Sequence, residues 1–320
     1  FASRLRPTFG RMDFSRIDWR ILGCSAAIPA PGQYPSAQSI RVGGTLMLLD
    51  CGEGTQIRIR EVGLRGATFD VILISHLHGD HVFGLPGLMS SWTLQGRSKP
   101  LVVVGPSGLE PFLRGVNVST QGNWSYPVEF RVAEPGIVYQ NDDVVVRSHA
   151  LKHRIETWGY RIDEVVAPRK VCYDLAVAAG LEHADFRSLQ LGLDARTRDG
   201  RVVPNSEVTT EGRSGFSMAY LSDTSFVPEL AEFARDVEFL YHESTYLERH
   251  ADLAHKTGHS TAGEAATLAR LAGVKRLVLG HFSQRYGRLD DFASEALAQV
   301  QIPIAVGVSG LNPLTAFVDQ

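Results

Sequence analysis

Ser75-His76-Leu77-His78-Gly79-Asp80-His81 packs three imidazoles and a carboxylate into six consecutive positions, 76–81. The stretch follows the apolar run at 71–74, which reads as a strand, and precedes a helical pattern that begins at Phe83. The ligand-type residues therefore sit at a strand-to-helix turn. In extended backbone alternate side chains share a side, so His76 and His78 can face one cation. The turn then carries Asp80 and His81 to a second position. Mixed imidazole and carboxylate ligation suits zinc, with manganese or iron as alternatives.

Outward from this stretch, strand-like runs at 19–22, 45–49, 101–104, 144–146, 218–221, 237–240 and 276–279 alternate with helical ones at 54–62, 83–94, 109–115, 261–272 and 290–300. That alternation predicts an α/β fold with helices packed outside sheets. Ser260 is the expected N-cap of the helix at 261, with Gly263-Glu264 in its first turn. Residues 165–215 break the pattern, with mixed charge and a turn at Arg198-Asp199-Gly200. They read as an inserted arm on a single domain spanning 1–320, rather than as a second core-bearing domain. The helical spacing of 173–181 predicts that the arm is folded. Pro29, Pro31, Gly32 and Pro35 mark a loop.

The composition is that of a soluble globular chain: 320 residues, 44% hydrophobic and 21% charged. A net charge of −3 excludes a globally basic nucleic-acid coat but leaves room for a local basic groove. No apolar run approaches the ~20 residues of a membrane span, so no membrane partner is expected. Residues 1–10 carry arginines but no apolar signal core. The three cysteines, Cys24, Cys51 and Cys172, lie far apart with no CxxC. A reducing, cytoplasmic home is therefore expected.

A dinuclear centre takes about seven protein ligands, so others must come from further strand ends. His153 follows the run at 144–149, Asp223 the run at 218–221, and His281 the run at 277–280. A carboxylate can bridge two cations with its two oxygens, which an imidazole cannot, and Asp223 is the expected bridge.

The His-x-His-x-Asp-His run is similar to the metallo-β-lactamase superfamily signature. More narrowly, the chain resembles the ribonuclease Z branch, endonucleases that trim the 3′ trailer from precursor tRNA. The stretches that carry the resemblance include Leu22-Gly23-Cys24-Ser25-Ala26, Leu49-Asp50-Cys51-Gly52-Glu53-Gly54-Thr55-Gln56 and Phe83-Gly84-Leu85-Pro86-Gly87-Leu88. Further along come Trp158-Gly159-Tyr160-Arg161, Ser222-Asp223-Thr224, His242-Glu243-Ser244-Thr245, Gly258-His259-Ser260-Thr261-Ala262-Gly263 and His281-Phe282-Ser283-Gln284-Arg285-Tyr286.

The resemblance implies two zinc ions per chain, one held by His76, His78, His153 and Asp223, the other by Asp80, His81, Asp223 and His281. It also implies a four-layer αβ/βα sandwich with the metals at one edge of the two sheets, and a homodimer. Two such cations clamp the attacking and leaving oxygens of a phosphodiester. Asp80 can orient the attacking water as well as bind metal. The resemblance places His259, paired with Glu243, as proton donor to the leaving oxygen; the other reading of His259 is a cap on the helix at 261. Arg285 can contact a phosphate or be simply solvated. Asp50 is expected to orient a metal-binding histidine. His149, His183, His242, His250 and His255 are given no role, and Cys51 reads as a core side chain.

The arm departs from the family pattern. Gly180-Leu181-Glu182-His183-Ala184-Asp185 stands where a Gly-Pro-rich element is usual, and Lys170 is the only lysine in 165–215. The loop at 29–36 offers Gln33 and Tyr34 where basic residues are usual. The expected function is a zinc-dependent phosphodiesterase acting on precursor tRNA. The alternative is a dinuclear zinc hydrolase of a small substrate, such as a phosphodiester, lactone or β-lactam.

Overall fold

The apolar run before the histidines becomes the strand Val71–Leu73, buried along its whole length because both of its faces are covered. Val71 and Leu73 join the cluster between two sheets, while Ile72 joins the cluster beneath the outer helices. The computed structural model describes residues 14–65, 68–166, 169–210 and 215–316. The arginine-bearing stretch at 1–10 lies outside them.

The first sheet runs Ile17–Gly23, Ala37–Val42, Thr45–Leu49, Val71–Leu73, Leu101–Gly105, Val128–Val132 in spatial order. Its first three strands are antiparallel and the rest parallel. The second sheet has the chain order Gly136–Gln140, Val144–Ala150, Trp158–Glu164, Ser217–Leu221, Phe239–Glu243, Arg276–Gly280, Ile304–Val306, again antiparallel first and parallel afterwards. Trp19, Met47 and Val104 of the first sheet pack with Tyr160, Met218 and Phe239 of the second. Helices Thr55–Glu61, Leu85–Leu94 and Leu109–Thr120 cover the outer face of the first sheet through Ile59, Leu88, Trp92 and Leu113. Ala262–Ala272 and Asp290–Leu297 cover the second through Ala265, Leu268 and Phe292. This is the four-layer αβ/βα sandwich of the metallo-β-lactamase fold.

One cap differs from expectation. Thr261, not Ser260, starts the helix Ala262–Ala272: its Oγ1 accepts the Glu264 N–H (3.1 Å), and the Glu264 carboxylate accepts the Thr261 N–H (2.9 Å). Ser260 is unavailable because its hydroxyl donates to the Thr224 carbonyl (2.7 Å). Strands Ala37–Val42, Val128–Val132, Gly136–Gln140, Trp158–Glu164 and Ile304–Val306 were not read from the sequence. Most of them mix polar or charged residues with apolar ones, as Arg41, Glu129, Arg131, Arg161 and Asp163 do, so no continuous apolar run marks them.

The chain divides into two units, with Val165–Gly215 belonging to the smaller. Taken by itself, that segment holds the helix Tyr173–Ala178, two two-stranded ribbons and a small cluster of Ala176, Leu181, Leu189, Ala195, Val203 and Val208. Asn205 ties it together, donating through Nδ2 to the Leu189 carbonyl (2.6 Å). Among the described residues no helix is long and apolar enough to cross a membrane.

Candidate metal centre

Where Val71–Leu73 runs out, the Asp50 carboxylate captures the outgoing chain: its Oδ1 accepts the Ser75 N–H (2.7 Å) and its Oδ2 the Ser75 hydroxyl (2.8 Å). Asp50 follows Thr45–Leu49 in left-handed backbone, φ 54°, which turns its side chain back across the strand end. The one-turn helix Gly79–Val82 is then pinned against the loop at 51–54, with Cys51 N–H donating to the His81 carbonyl (2.7 Å) and Gly84 N–H to the Cys51 carbonyl (2.9 Å). Backbone meets backbone so closely there that a Cβ on Gly84 would collide with the Gly52 carbonyl.

Four further ring or carboxylate groups arrive from the second sheet and its loops. Asp223 follows Ser217–Leu221, and His281 follows Arg276–Gly280 in left-handed backbone, φ 59°. His153 leads from Val144–Ala150, and His259 precedes Ala262–Ala272. Three overlapping groups of ligand-type residues result: His76, His78, His153 with Asp223; Asp80, His81 with His281; and Asp223, His281 with His259. In the first, His78 Nδ1 lies 3.0 Å from His76 Nε2 and 3.3 Å from His153 Nε2. In the second, His281 Nε2 lies 3.2 Å from His81 Nε2 and 3.4 Å from Asp80 Oδ2. Asp223 faces both, with Oδ2 3.6 Å from His76 Nε2 and Oδ1 3.4 Å from His81 Nε2 and 3.3 Å from His281 Nε2. The structure thus brings all seven sequence-predicted ligands together.

These residues fit divalent cations. Ligand bonds of about 2.0–2.1 Å in a tetrahedron place donor atoms roughly 3.3 Å apart, the spacing found here. In four of the five rings the other nitrogen is already committed: His76 Nδ1–H to Ser75 Oγ (3.0 Å), His81 Nδ1–H to Asp50 Oδ2 (2.8 Å), His153 Nδ1–H to the Gly258 carbonyl (2.7 Å) and His281 Nδ1–H to Thr245 Oγ1 (2.8 Å). Those bonds aim the lone pairs of the four Nε2 atoms inward. Electrostatics agree. Burial pushes His76 well below its ordinary value, and neighbouring rings add to this. Burial also opposes charge on His81, but Asp223, Asp50 and Asp80 outweigh it and hold the ring up to about 10. Burial alone would raise Asp223, yet the surrounding histidines keep it well below the carboxylate range. Cations take the place of protons in such a set.

His259 stands beside the ligands but is anchored elsewhere. Its Nδ1–H donates to Glu243 Oε1 (3.0 Å), which leaves Nε2 for the cavity. Glu243 is wholly buried and also accepts the backbone N–H groups of Thr224, Thr245 and Ser260. Burial works against a charged His259, but Glu243 prevails and raises it to about 9. The helix at 262 is capped by Thr261, so His259 does not serve that purpose.

The ligands open into a cavity of about 600 Å³ also lined by Arg285, whose guanidinium carbon lies 5.2 Å from the centre of the Tyr246 ring. Three participants were missed in the sequence. Thr245 links both halves of the second-sheet machinery, accepting from His281 and donating to Glu243 Oε2 (2.7 Å). Tyr220 donates to Asp50 (2.7 Å), and Ala27 N–H donates to Asp80 Oδ2 (2.7 Å). Neither a hydroxyl within an apolar run nor a backbone amide leaves a signal in sequence. Of the histidines given no role, His250 bonds Tyr286 and His255 bonds Glu264.

The family model for "Anti-Pycsar protein Apyc1" matches residues 17–115. Ribonuclease Z of Porphyromonas gingivalis is 39% identical over 288 residues, covering 89% of this chain and 95% of the relative. Ribonuclease Z of Salinibacter ruber is 40% identical over 277 residues, covering 85% and 86%. The crystal structure of human tRNase Z, short form, superposes with a TM-score of 0.66 at 26% identity, covering 92% of this chain and 97% of that one. A diphosphatase of the PhnP family superposes at 0.60 with 16% identity, a likeness of fold alone.

Proposed function

This chain belongs to the ribonuclease Z family, and we propose that it hydrolyses the phosphodiester joining precursor tRNA to its 3′ trailer, using two zinc ions per chain. The observation that carries the reading is the split of Asp223, one oxygen toward each ligand set, beside a histidine, His259, whose Nδ1 is bonded to the buried Glu243. His76, His78, His153 and Asp223 would hold one ion, and Asp80, His81, Asp223 and His281 the other. Bound there, the two ions would supply Lewis acidity toward the phosphodiester and toward the attacking water. Asp80, steadied by the Ala27 N–H, orients that water. Glu243 fixes the His259 ring so that protonated Nε2 reaches the cavity and gives its proton to the departing 3′-oxygen. Arg285 holds a flanking phosphate, its guanidinium kept at the wall by Ser283 Oγ (3.1 Å) and the Tyr246 face. A cytoplasmic homodimer, with Val165–Gly215 as a substrate-gripping arm, completes the reading.

A small phosphodiester is the second reading, favoured by an arm whose acidic and basic residues are equal in number, seven of each in 165–215. Precursor tRNA with a 3′ trailer, a nitrophenyl phosphodiester and a cephalosporin separate the two when product ends are mapped. Cleavage at the mature 3′ end, leaving a 3′-hydroxyl, is expected. Turnover of the small substrates alone would overturn the trailer-removal reading.

A further inference from the structure

We propose that the RNA strand downstream of the scissile phosphate leaves the metal cavity along a groove over the outer helices of the first sheet, where Arg60 and Arg65 hold its phosphates; this rests on the trailer-removal reading. The metal cavity shares Glu53 and Phe83 with a shallower depression of about 520 Å³ beside the helix Thr55–Glu61. That depression shares Gln56 and Arg60 with a third, of about 240 Å³, lying between Thr55–Glu61 and Leu85–Leu94 and bordered by Arg65. The three form one continuous track.

Its chemistry suits a single strand. Phe83, 63% exposed, stands at the junction with the cavity as a surface on which a base can stack, and stacking tolerates any base. Arg60 and Arg65 are both exposed, and neither has an ion-pair partner among the described residues, whereas Arg58 on the same helix is tied to Glu61. Among the described residues, Glu53, at the mouth, is the only carboxylate lining the two outer depressions. Neutral amides lie between the two ends, with Gln56 Nε2 donating to Ser91 Oγ (2.7 Å).

Direction follows from the proton donor. His259 belongs to the wall built by the second sheet, and the 3′-oxygen it protonates remains with the mature tRNA. The acceptor strand is therefore placed along that wall. The phosphate departs with the downstream strand, and the track opens from the wall built by the loops of the first sheet, at Glu53 and Phe83.

The test compares wild type with the double variants R60A/R65A and R60K/R65K on precursors carrying a one-nucleotide trailer or one of about ten nucleotides, within the range a binding groove spans. For the long trailer, R60A/R65A should raise KM roughly tenfold and flatten the log–log salt dependence of KM by about 1.4, two single-strand phosphate contacts being lost. Its kcat, its KM for the short trailer and its nitrophenyl phosphodiester turnover should not change, and R60K/R65K should keep most of the long-trailer affinity. An equal rise on both trailers, or none on either, overturns the proposal. So does a change in sedimentation of R60A/R65A without trailer-length dependence, which would make the surface a contact between copies. Binding of a 5′-phosphorylated oligonucleotide of trailer length is measured alongside. If wild type cleaves no precursor, the trailer-removal reading fails. The groove is then decided by this binding: weakening in R60A/R65A upholds it, and equal binding overturns it.

Discussion

The two walls of the metal cavity are built in opposite ways. On the first-sheet side, four ligands come from 76–81, a single strand end, and Asp50 organises them through Ser75 and His81, with the Ala27 N–H steadying Asp80. On the second-sheet side His153, Asp223, Glu243, His259 and His281 come from five separate places in the chain. They are assembled by bonds spanning up to 105 positions, as from His153 to Gly258. The first wall is local and its ligands are fixed by one turn. The second exists only when its strands pair in parallel register, as His242 with Leu279 and Glu243 with Gly280. Damage on the second wall should therefore spread, while damage on the first should stay local.

The strongest way to break this contrast is at the residue both ligand sets share. Asp223→Ala should strip both cations and reduce activity to that of the metal-free protein, whereas His281→Ala should mainly deplete one; metal analysis after gentle purification decides. Equal retention of metal in both variants would remove Asp223 as a bridge.

Next comes His259→Ala, which should cut turnover of precursor by roughly 10²–10⁴-fold with metal content unchanged. A nitrophenyl substrate, whose leaving group needs no proton, should be far less affected. The donor must be protonated, and its value is raised to about 9, so wild-type activity should fall as pH rises through a limb at or below about 9. Bound cations push that limb downward. The limb should vanish in His259→Ala, and a limb that persists would assign it to another group.

A smaller effect separates the walls directly. Asp50→Asn and Thr245→Val should each weaken metal affinity or activity by about 10–100-fold, the usual cost of losing a group that orients a ligand. Thr245→Val should also disturb His259, since Thr245 touches both Glu243 and His281, and so change the pH profile. Asp50→Asn should leave that profile alone. Identical profiles would dissolve the contrast.

The smallest change tests the helix behind the second wall. Thr261→Ala should cost about 1 kcal/mol of stability through loss of the cap. Denaturant unfolding should register it while metal content stays put.

The same asymmetry decides what could be read in advance. His76, His78, Asp80 and His81 were legible because a strand followed by a turn places neighbouring residues at neighbouring points in space, and spacing along the chain then reports geometry. His153, Asp223 and His281 were legible only as ligand-type residues at strand ends, and Glu243 and His259 only through resemblance. Their convergence depends on sheet register, and no local pattern encodes that. The amphipathic helices were visible because burial repeats every three to four residues. Trp158–Glu164, where Arg161 and Asp163 alternate with buried Tyr160 and Ile162, and the three-residue Ile304–Val306 offer no continuous apolar run. Sequence by itself therefore determined the fold class, the ligand chemistry and one wall of the site. Tertiary structure alone decided that Thr261 rather than Ser260 caps the helix, that Thr245 couples the proton donor to a ligand, and that Ala27 steadies Asp80. In each case packing between distant segments selects the partner: the Ser260 hydroxyl is drawn away to the Thr224 carbonyl, Thr245 reaches His281, and the Ala27 N–H reaches Asp80, where the sequence offers other equally capable groups.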